Sequence, residues 1–306
     1  MIVTVTPNPA IDVTYRADGL GPGVSLRVDA PAVRAGGKGV NVARVVRQTG
    51  RPVLAVVTAG GTAGADLLRD LVASGIRHRA VTVAAETRRS LALVDGAVGD
   101  TTILNERGSH LTGAEVAALR AAVLDGLGAA ACLVISGSLP PGMPENFPAD
   151  LVGAARAAGV PVVVDAVGPA LFAACAAGAD LVKPNLDELT ATTGATDPVA
   201  GGRALLDAGA RRVVVTLGGD GMVALDGARP DDVVRARLPR ALRGNPTGAG
   251  DAAVAAAAVS LAEATSTTTL LRRAVAWSAA AVLAPLAGEL DPGYEGLERD
   301  VELTHH

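Results

Sequence analysis

Short, mostly apolar runs recur along the chain, each closed by glycine, proline or a polar turn. They are Ile2 to Thr6, Val53 to Val57, Cys132 to Ile135, Val162 to Asp165, Leu181 to Lys183 and Val213 to Thr216. Runs this short, without strict polar alternation, predict strands covered on both faces. Between them lie segments with apolar positions at helical spacing. Val40 to Thr49 places Val42, Val45 and Val46 on one face and stops at Gly50; another helix runs to Ser74 and stops at Gly75. Thr112 with Glu115 reads as a capping box opening a third helix. Further helices are predicted up to Ala158, around Pro169 to Ala177, after Asn185 and along the apolar run Ala252 to Val259. Strand alternating with helix predicts an α/β fold: a doubly wound, mainly parallel sheet with helices on both faces. Such sheets bind ligands beyond the carboxyl ends of their strands. Loops 36–39, 136–142, 183–188, 217–221 and 244–251 are therefore candidates for one shared crevice.

Two stretches break the rhythm. Ile11 to Tyr15 alternates, Gly21-Pro22-Gly23 turns, and Val24 to Val33 reads as extended. Ser90 to Val94 and Thr101 to Leu104 flank a turn near Asp95-Gly96. These excursions, 11–34 and 87–107, are predicted to meet as a small separate sheet, leaving 1–10, 35–86 and 108–306 as the main domain.

Composition sharpens the core. Hydrophobic residues make up 49% of the 306 but aromatics only 2%, so Ala, Val and Leu must do the packing. Cys132 and Cys175 lie in apolar sequence and read as small core residues. Trp277, in an Ala-rich helix, reads as core too, and His78 and His110 have no metal-ligand partner at useful spacing. Net charge is −4 without a basic cluster, which argues against nucleic acid as a partner. The chain begins directly on a strand, and no apolar run reaches the roughly eighteen residues of a membrane helix. The expectation is a soluble, cytoplasmic protein with no membrane partner. The terminal His305-His306 pair carries no functional weight.

The chemistry gathers on the predicted loops. Neither G-x-x-x-x-G-K-[ST] nor an early G-x-G-x-x-G occurs, so P-loop and dinucleotide readings lack support. Phosphoryl transfer instead needs a base, donors for the moving charge, a metal environment and an acceptor clamp. Asp251 is the candidate base, and the N–H groups around Gly248, Ala249 and Gly250 are the candidate anion hole at a helix N-terminus. The same letters also suit an ordinary helix entry with a stabilising aspartate. Asn185 and Glu188, behind Lys183, could hold a hydrated Mg²⁺ and phosphate, though N-x-x-E is also a capping box. Lys38 and Arg88 suit a phosphate or carboxylate, or are solvated surface cations.

The order of these motifs resembles a known family. Thr6-Pro7-Asn8-Pro9-Ala10-Ile11-Asp12, Gly36-Gly37-Lys38-Gly39-Val40-Asn41, Ser136-Gly137-Ser138-Leu139-Pro140, Lys183-Pro184-Asn185-Leu186-Asp187-Glu188, Thr216-Leu217-Gly218-Gly219-Asp220-Gly221 and Gly248-Ala249-Gly250-Asp251 are similar to the motifs of ribokinase-like sugar kinases of the phosphofructokinase B group. The branch resembled is that of tagatose-6-phosphate kinase and 1-phosphofructokinase. The resemblance implies ATP and Mg²⁺ as cofactors. It implies Asp251 as base, with Gly248, Ala249 and Gly250 stabilising the transferring group. Asp12, Gly36, Gly37 and Asn41 would hold the sugar, and Lys38, Arg88 and Ser138 the phosphate already on it. Lys183, Asn185, Thr216, Gly218, Gly219 and Gly221 would face the nucleotide, with Asn185 and Glu188 reaching the metal through water. The excursions match a β-lid that forms a dimer contact in many members.

Two departures bear on the acceptor. Asn245-Pro246-Thr247 resembles the tagatose branch, and Thr87-Arg88-Arg89-Ser90-Leu91-Ala92 lacks the Asn and Lys usual in 1-phosphofructokinases. The expected activity is phosphorylation of a ketohexose monophosphate to a bisphosphate, with tagatose 6-phosphate or fructose 6-phosphate favoured and fructose 1-phosphate as the alternative. A non-catalytic sugar-phosphate sensor is the competing class. A nucleoside kinase would need an aromatic acceptor pocket, for which two phenylalanines and two tyrosines offer little.

Overall fold

The first strand, β1 (Ile2–Thr6), is buried at every position, because its two faces serve two different cores. Ile2 packs on one side, while Val3 and Val5 pack on the other. In the computed structural model, which describes residues 1–97, 100–240 and 242–305, the same division runs through the main sheet. Both faces being covered is why these strands read as continuous apolar runs.

The chain then leaves for β2 (Ala10–Ala17) and β3 (Ala32–Gly36), and returns through α1 (Lys38–Gln48), β4 (Val53–Ala59), α2 (Gly61–Ala73) and β5 (His78–Thr82). A second departure makes β6 (Arg88–Asp95) and β7 (Asp100–Asn105). Next come α3 (Gly113–Leu127), β8 (Cys132–Ser136), α4 (Phe147–Ala157), β9 (Val162–Asp165), α5 (Pro169–Ala176), β10 (Leu181–Val182), α6 (Leu186–Thr193), α7 (Pro198–Asp207) and β11 (Arg212–Thr216). The remainder is β12 (Met222–Asp226), β13 (Arg229–Arg237), α8 (Ala249–Ala262), α9 (Thr267–Leu283), α10 (Tyr294–Asp300) and β14 (Glu302–His305).

The main sheet has the order β14-β13-β12-β11-β10-β9-β8-β1-β4-β5. Strands β5 through β11 pair in parallel, whereas β11 to β14 pair antiparallel. Helices α1, α2, α8 and α9 cover one face and α3, α4, α5 and α7 the other. The aromatic-poor core suits this layering. Helix α8 is buried from Asp251 to Ser260, and alanine lets it lie close against α1 and α9. Larger side chains anchor the layers, and fully buried leucines such as Leu133, Leu151 and Leu271 are each worth roughly 1.5–3 kcal/mol. Trp277 is buried and donates Nε1–H to Glu298 at 3.0 Å, with Tyr294 edge-on to its ring. Cys132 and Cys175 are free thiols inside the core. Thr112 and Glu115 form the reciprocal capping box at α3.

The smaller sheet, β3-β2-β6-β7, unites the two excursions. Asp12 stands opposite Arg34 on one side and Ser90 on the other. The extended reading of Val24 to Val33 needs correcting: residues 24–31 form no strand and are almost wholly exposed. Val24, Leu26 and Val28 alternate as a strand would, but on that side β2 pairs with 32–36 and on the other with β6, and no strand among the described residues offers the earlier residues a ladder. The sequence reading also passed over β5, β12, β13, β14 and α10. No helix among the described residues is long and apolar enough to cross a membrane.

Candidate active site

Helix α8 begins under constraint. Its N-cap, Gly248, has φ 87°, and a Cβ there would lie 2.9 Å from Ala287 Cα, so glycine alone fits without displacement. The chain can then turn sharply into the helix and present Asp251 in its first turn. Asp251 is 7% exposed. Asn41, on α1, donates Nδ2–H to its Oδ2 at 2.8 Å. Burial pushes the Asp251 carboxyl up to about 7, Lys38 pulls it down, Asp165 raises it further, and the Asn41 hydrogen bond and Lys183 pull down again. A carboxylate titrating near neutrality, at a helix N-terminus, is suited to take a proton from a hydroxyl.

Asp165, which sequence reasoning treated only as the end of a strand, is the hub beside it. It closes β9 and is 1% exposed. Lys38 Nζ lies 3.2 Å from its Oδ2, Lys183 Nζ lies 3.4 Å from its Oδ1, and Ser136 donates its hydroxyl to Oδ2 at 3.1 Å. Burial alone would raise the Asp165 carboxyl; Lys183 and Lys38 outweigh it and hold the group below its usual range. Lys38 is raised in turn, chiefly by Asp165 and against burial, with Glu188 and Asp251 adding to the rise. Two ammonium groups are thus fixed beside the base, where negative charge would move during phosphoryl transfer.

Asn185 and Glu188 do form the capping box: Glu188 N–H donates to Asn185 Oδ1 at 2.7 Å and Asn185 N–H to Glu188 Oε2 at 2.9 Å. Glu188 Oε1 faces Lys38 Nζ at 3.3 Å, so the second oxygen looks into the crevice. Among the described residues no group of three or more His, Cys, Asp or Glu is arranged to hold a metal. One capping carboxylate, its Oε1 shared with Lys38, fits an ion that keeps its waters and takes other ligands from phosphates.

At the other end stand Asp12 and Arg88. Burial lifts the Asp12 carboxyl to about 6, against the pull of Arg34, Arg88 and Arg44. Arg88 gives Nε–H to Asn8 O at 3.1 Å and an Nη1 proton to Glu106 O at 2.8 Å. Its remaining guanidinium protons make no hydrogen bond among the described residues. Asp12 sits directly over Gly36, where a Cβ would fall 2.0–2.3 Å from the carboxylate.

One crevice of about 1120 Å³ joins the two ends. Of the residues singled out from sequence, Asp12, Gly37, Lys38, Asn41, Arg88, Ser138, Lys183, Asn185, Glu188, Thr216, Gly248, Gly250 and Asp251 line it. Gly36 and Ala249 stand just behind that lining, while Gly218 and Gly219 form a 3₁₀ turn beyond Thr216 and Gly221 follows it. Lys38 and Arg88, read as one clamp, have different partners: Lys38 is at the Asp165–Glu188 end and Arg88 beside Asp12. Asn8 and Asp165 are lining residues that sequence reasoning did not select.

The chain resembles known proteins along most of its length. The chain is 38% identical to 1-phosphofructokinase of Xanthomonas campestris pv. campestris over 273 residues, 85% of this chain and 83% of that protein. It is 34% identical to ATP-dependent 6-phosphofructokinase isozyme 2 of Escherichia coli over 92% of both chains. A solved structure of phosphofructokinase-2 from Escherichia coli in complex with fructose-6-phosphate superposes with a TM-score of 0.86 at 31% identity, covering 97% of this chain and 98% of that one. Its tetrameric inhibited form gives 0.88 at 32% with the same coverage. The model for pfkB family carbohydrate kinases matches residues 5–292, and the chain belongs to that family.

Proposed function

We propose that this kinase transfers the γ-phosphoryl group of ATP to a hydroxyl of a ketohexose monophosphate, giving a bisphosphate. The observation that carries the reading is the crevice's two-ended charge. Asp251 with Lys38 and Lys183 forms one end, and Arg88 beside Asp12 the other. Arg88 has the Asp12 and Glu106 carboxylates nearby but makes no ion-pair contact with either and is held by two backbone carbonyls, which leaves it able to receive the phosphate of a phosphorylated sugar. Asp251 would take the hydroxyl proton, and the N–H groups of Gly248 to Gly250 would receive the transferring group. Lys183, Asn185, Thr216 and the turn 218–221 would face the nucleotide. Mg²⁺, when bound, would neutralise phosphate charge, with Asn185 and Glu188 reaching it through water.

Tagatose 6-phosphate or fructose 6-phosphate is the favoured acceptor, on the segment Thr87 to Ala92. Fructose 1-phosphate is the second reading, favoured by the 38% identity to a 1-phosphofructokinase. A coupled ADP-release assay over ketose phosphates, aldose phosphates and free sugars tests both. Rapid turnover of free fructose or ribose with none of any hexose phosphate would overturn the proposal. Binding of a hexose phosphate without ADP release would move the chain to the sensor class.

The smaller sheet is proposed to act as a lid and to join two copies of the chain. Val33, Ile103 and Leu104 are exposed on it, and β3 and β7 are open edges available for pairing or packing. Catalysis in the cytoplasm is the matching proposal for location.

A further inference from the structure

Four segments of chain meet at Asn8. It is 7% exposed and leaves the turn between β1 and β2. Its Nδ2 donates to Arg107 O at 3.0 Å and to Ser138 Oγ at 3.1 Å. Its backbone carbonyl accepts from Arg88 Nε at 3.1 Å. A Cβ on Gly108 would fall 2.3 Å from its Oδ1, so that turn fits closely around the amide. Arg107 O can only accept, which fixes the amide's orientation: nitrogen faces Arg107 and Ser138, oxygen faces Gly108. Ser138 Oγ therefore receives a proton from Asn8. A hydroxyl has one proton to give, and among the described residues that of Ser138 has no protein acceptor. Ser138 is exposed and lines the crevice, as do Asn8, Arg88, Glu106 and Arg107.

We infer that Asn8 is a positioning residue for the acceptor's phosphate subsite: it holds Ser138 as a hydrogen-bond donor into the crevice and anchors Arg88 beside it. The inference rests on the sugar-phosphate reading above. An anion gains from donors that are already aimed, because nothing has to be ordered when it binds. With Asn8 in place, Ser138 and Arg88 are each tied to it and both line the crevice. The same amide ties Ser138, on the main domain, to residue 107 at the base of the small sheet. The subsite is then assembled only when the sheet is seated.

The test compares wild type with Asn8→Ala and Asn8→Asp, the latter filling the same space while replacing the donor with an acceptor. The expected result is a KM for the preferred hexose phosphate raised about tenfold or more, the equivalent of one lost aimed donor. The KM for ATP should stay within about twofold, and turnover of the unphosphorylated sugar should fall by much less than that of the phosphorylated one. Ser138→Ala should raise the same KM, and in the Asn8→Ala/Ser138→Ala double variant the two effects should fall well short of multiplying. Equal losses on phosphorylated and free sugar, a rise confined to ATP, or fully multiplicative effects would each overturn the inference. Should the alanine variant fail to fold, Asn8→Asp decides by the same readings. Failure of the underlying functional reading appears separately, as a wild-type enzyme without preference for phosphorylated sugars.

Discussion

Asn41 Nδ2 lies 2.8 Å from Asp251 Oδ2, the one side-chain hydrogen bond to that carboxylate among the described residues. One aimed donor in a buried place leaves Asp251 oriented but basic, which is what a general base requires. Asp251→Ala should lose about two to four orders of magnitude in kcat, with ATP affinity largely kept. Single-turnover phosphoryl transfer measures this directly; near-normal turnover would remove Asp251 from the role.

The pH profile follows from two carboxyls. Asp251 is raised to about 7 and Asp12 to about 6, and both act as acceptors when ionised. The kcat/KM for the acceptor should therefore rise with pH between about 5.5 and 7.5, with an acid limb steeper than one proton. In Asp12→Asn the limb should flatten to a single ionisation near 7. Stability runs the other way. A carboxyl with a raised folded pKa binds more protons when folded, so the protein loses stability as pH rises from the ordinary carboxylate range through 7. Asp251→Asn should accordingly be more thermostable than wild type at pH 8, and by less at pH 5.

Much of this site was visible in the letters, and the gaps have physical causes. Strands such as Val162 to Asp165 were legible because burial of both faces leaves a short, β-branched apolar run bounded by turns. Asp165 was missed for the same reason: three valines made the strand look purely structural. The available signal was an acid closing an apolar strand in a fold whose ligands sit at strand carboxyl ends. Lys38 lines the crevice, but sequence proximity to Gly37 cannot say which end of a crevice a long side chain reaches. Its partners, Asp165 and Glu188, are more than a hundred residues away. β5 carries His78 and Arg79 at a sheet edge, and so lacked the apolar run that marked its neighbours.

Asp165 gives the next test. Its carboxylate is buried between Lys38 and Lys183, and Asn in its place would leave two ammonium groups sharing a neutral partner. Breaking a buried pair costs about 3–5 kcal/mol, so Asp165→Asn should melt well below wild type. Because the folded pKa of Asp165 is depressed, its contribution is present above the ordinary carboxylate range and fades as pH falls through the folded value. The stability gap between the two proteins should therefore narrow in strong acid. Denaturant unfolding at pH 7 and pH 3 checks this; an equal gap at both would mean the lysines do not depend on this charge.

The small sheet makes a separate prediction about assembly. Val33 is 55% exposed and Leu104 54% exposed, on two strands at opposite edges of that sheet. If a second copy covers them, Val33→Glu with Leu104→Glu should shift sedimentation from dimer to monomer. Being exposed in the single chain, these positions should change monomer stability by only about 0.5 kcal/mol each. A wild-type protein that sediments as a monomer at micromolar concentration would remove the dimer.

Gly36 offers a test of the acceptor end that leaves the base alone. Its backbone is not in the left-handed region, so alanine brings no torsional strain, yet the added Cβ would overlap Asp12 at 2.0–2.3 Å. The carboxylate must move, because Gly36 is a buried strand end and Asp12 is the side chain with a torsion to spare. Displacing it by an ångström or more breaks its alignment with sugar hydroxyls while Asp251, Lys38 and Lys183 keep their partners. Gly36→Ala should raise the acceptor KM about tenfold or more, the scale of a misaligned charged hydrogen bond, and leave the KM for ATP near its wild-type value. If both constants rose together, Asp12 would be holding the crevice open and not the sugar.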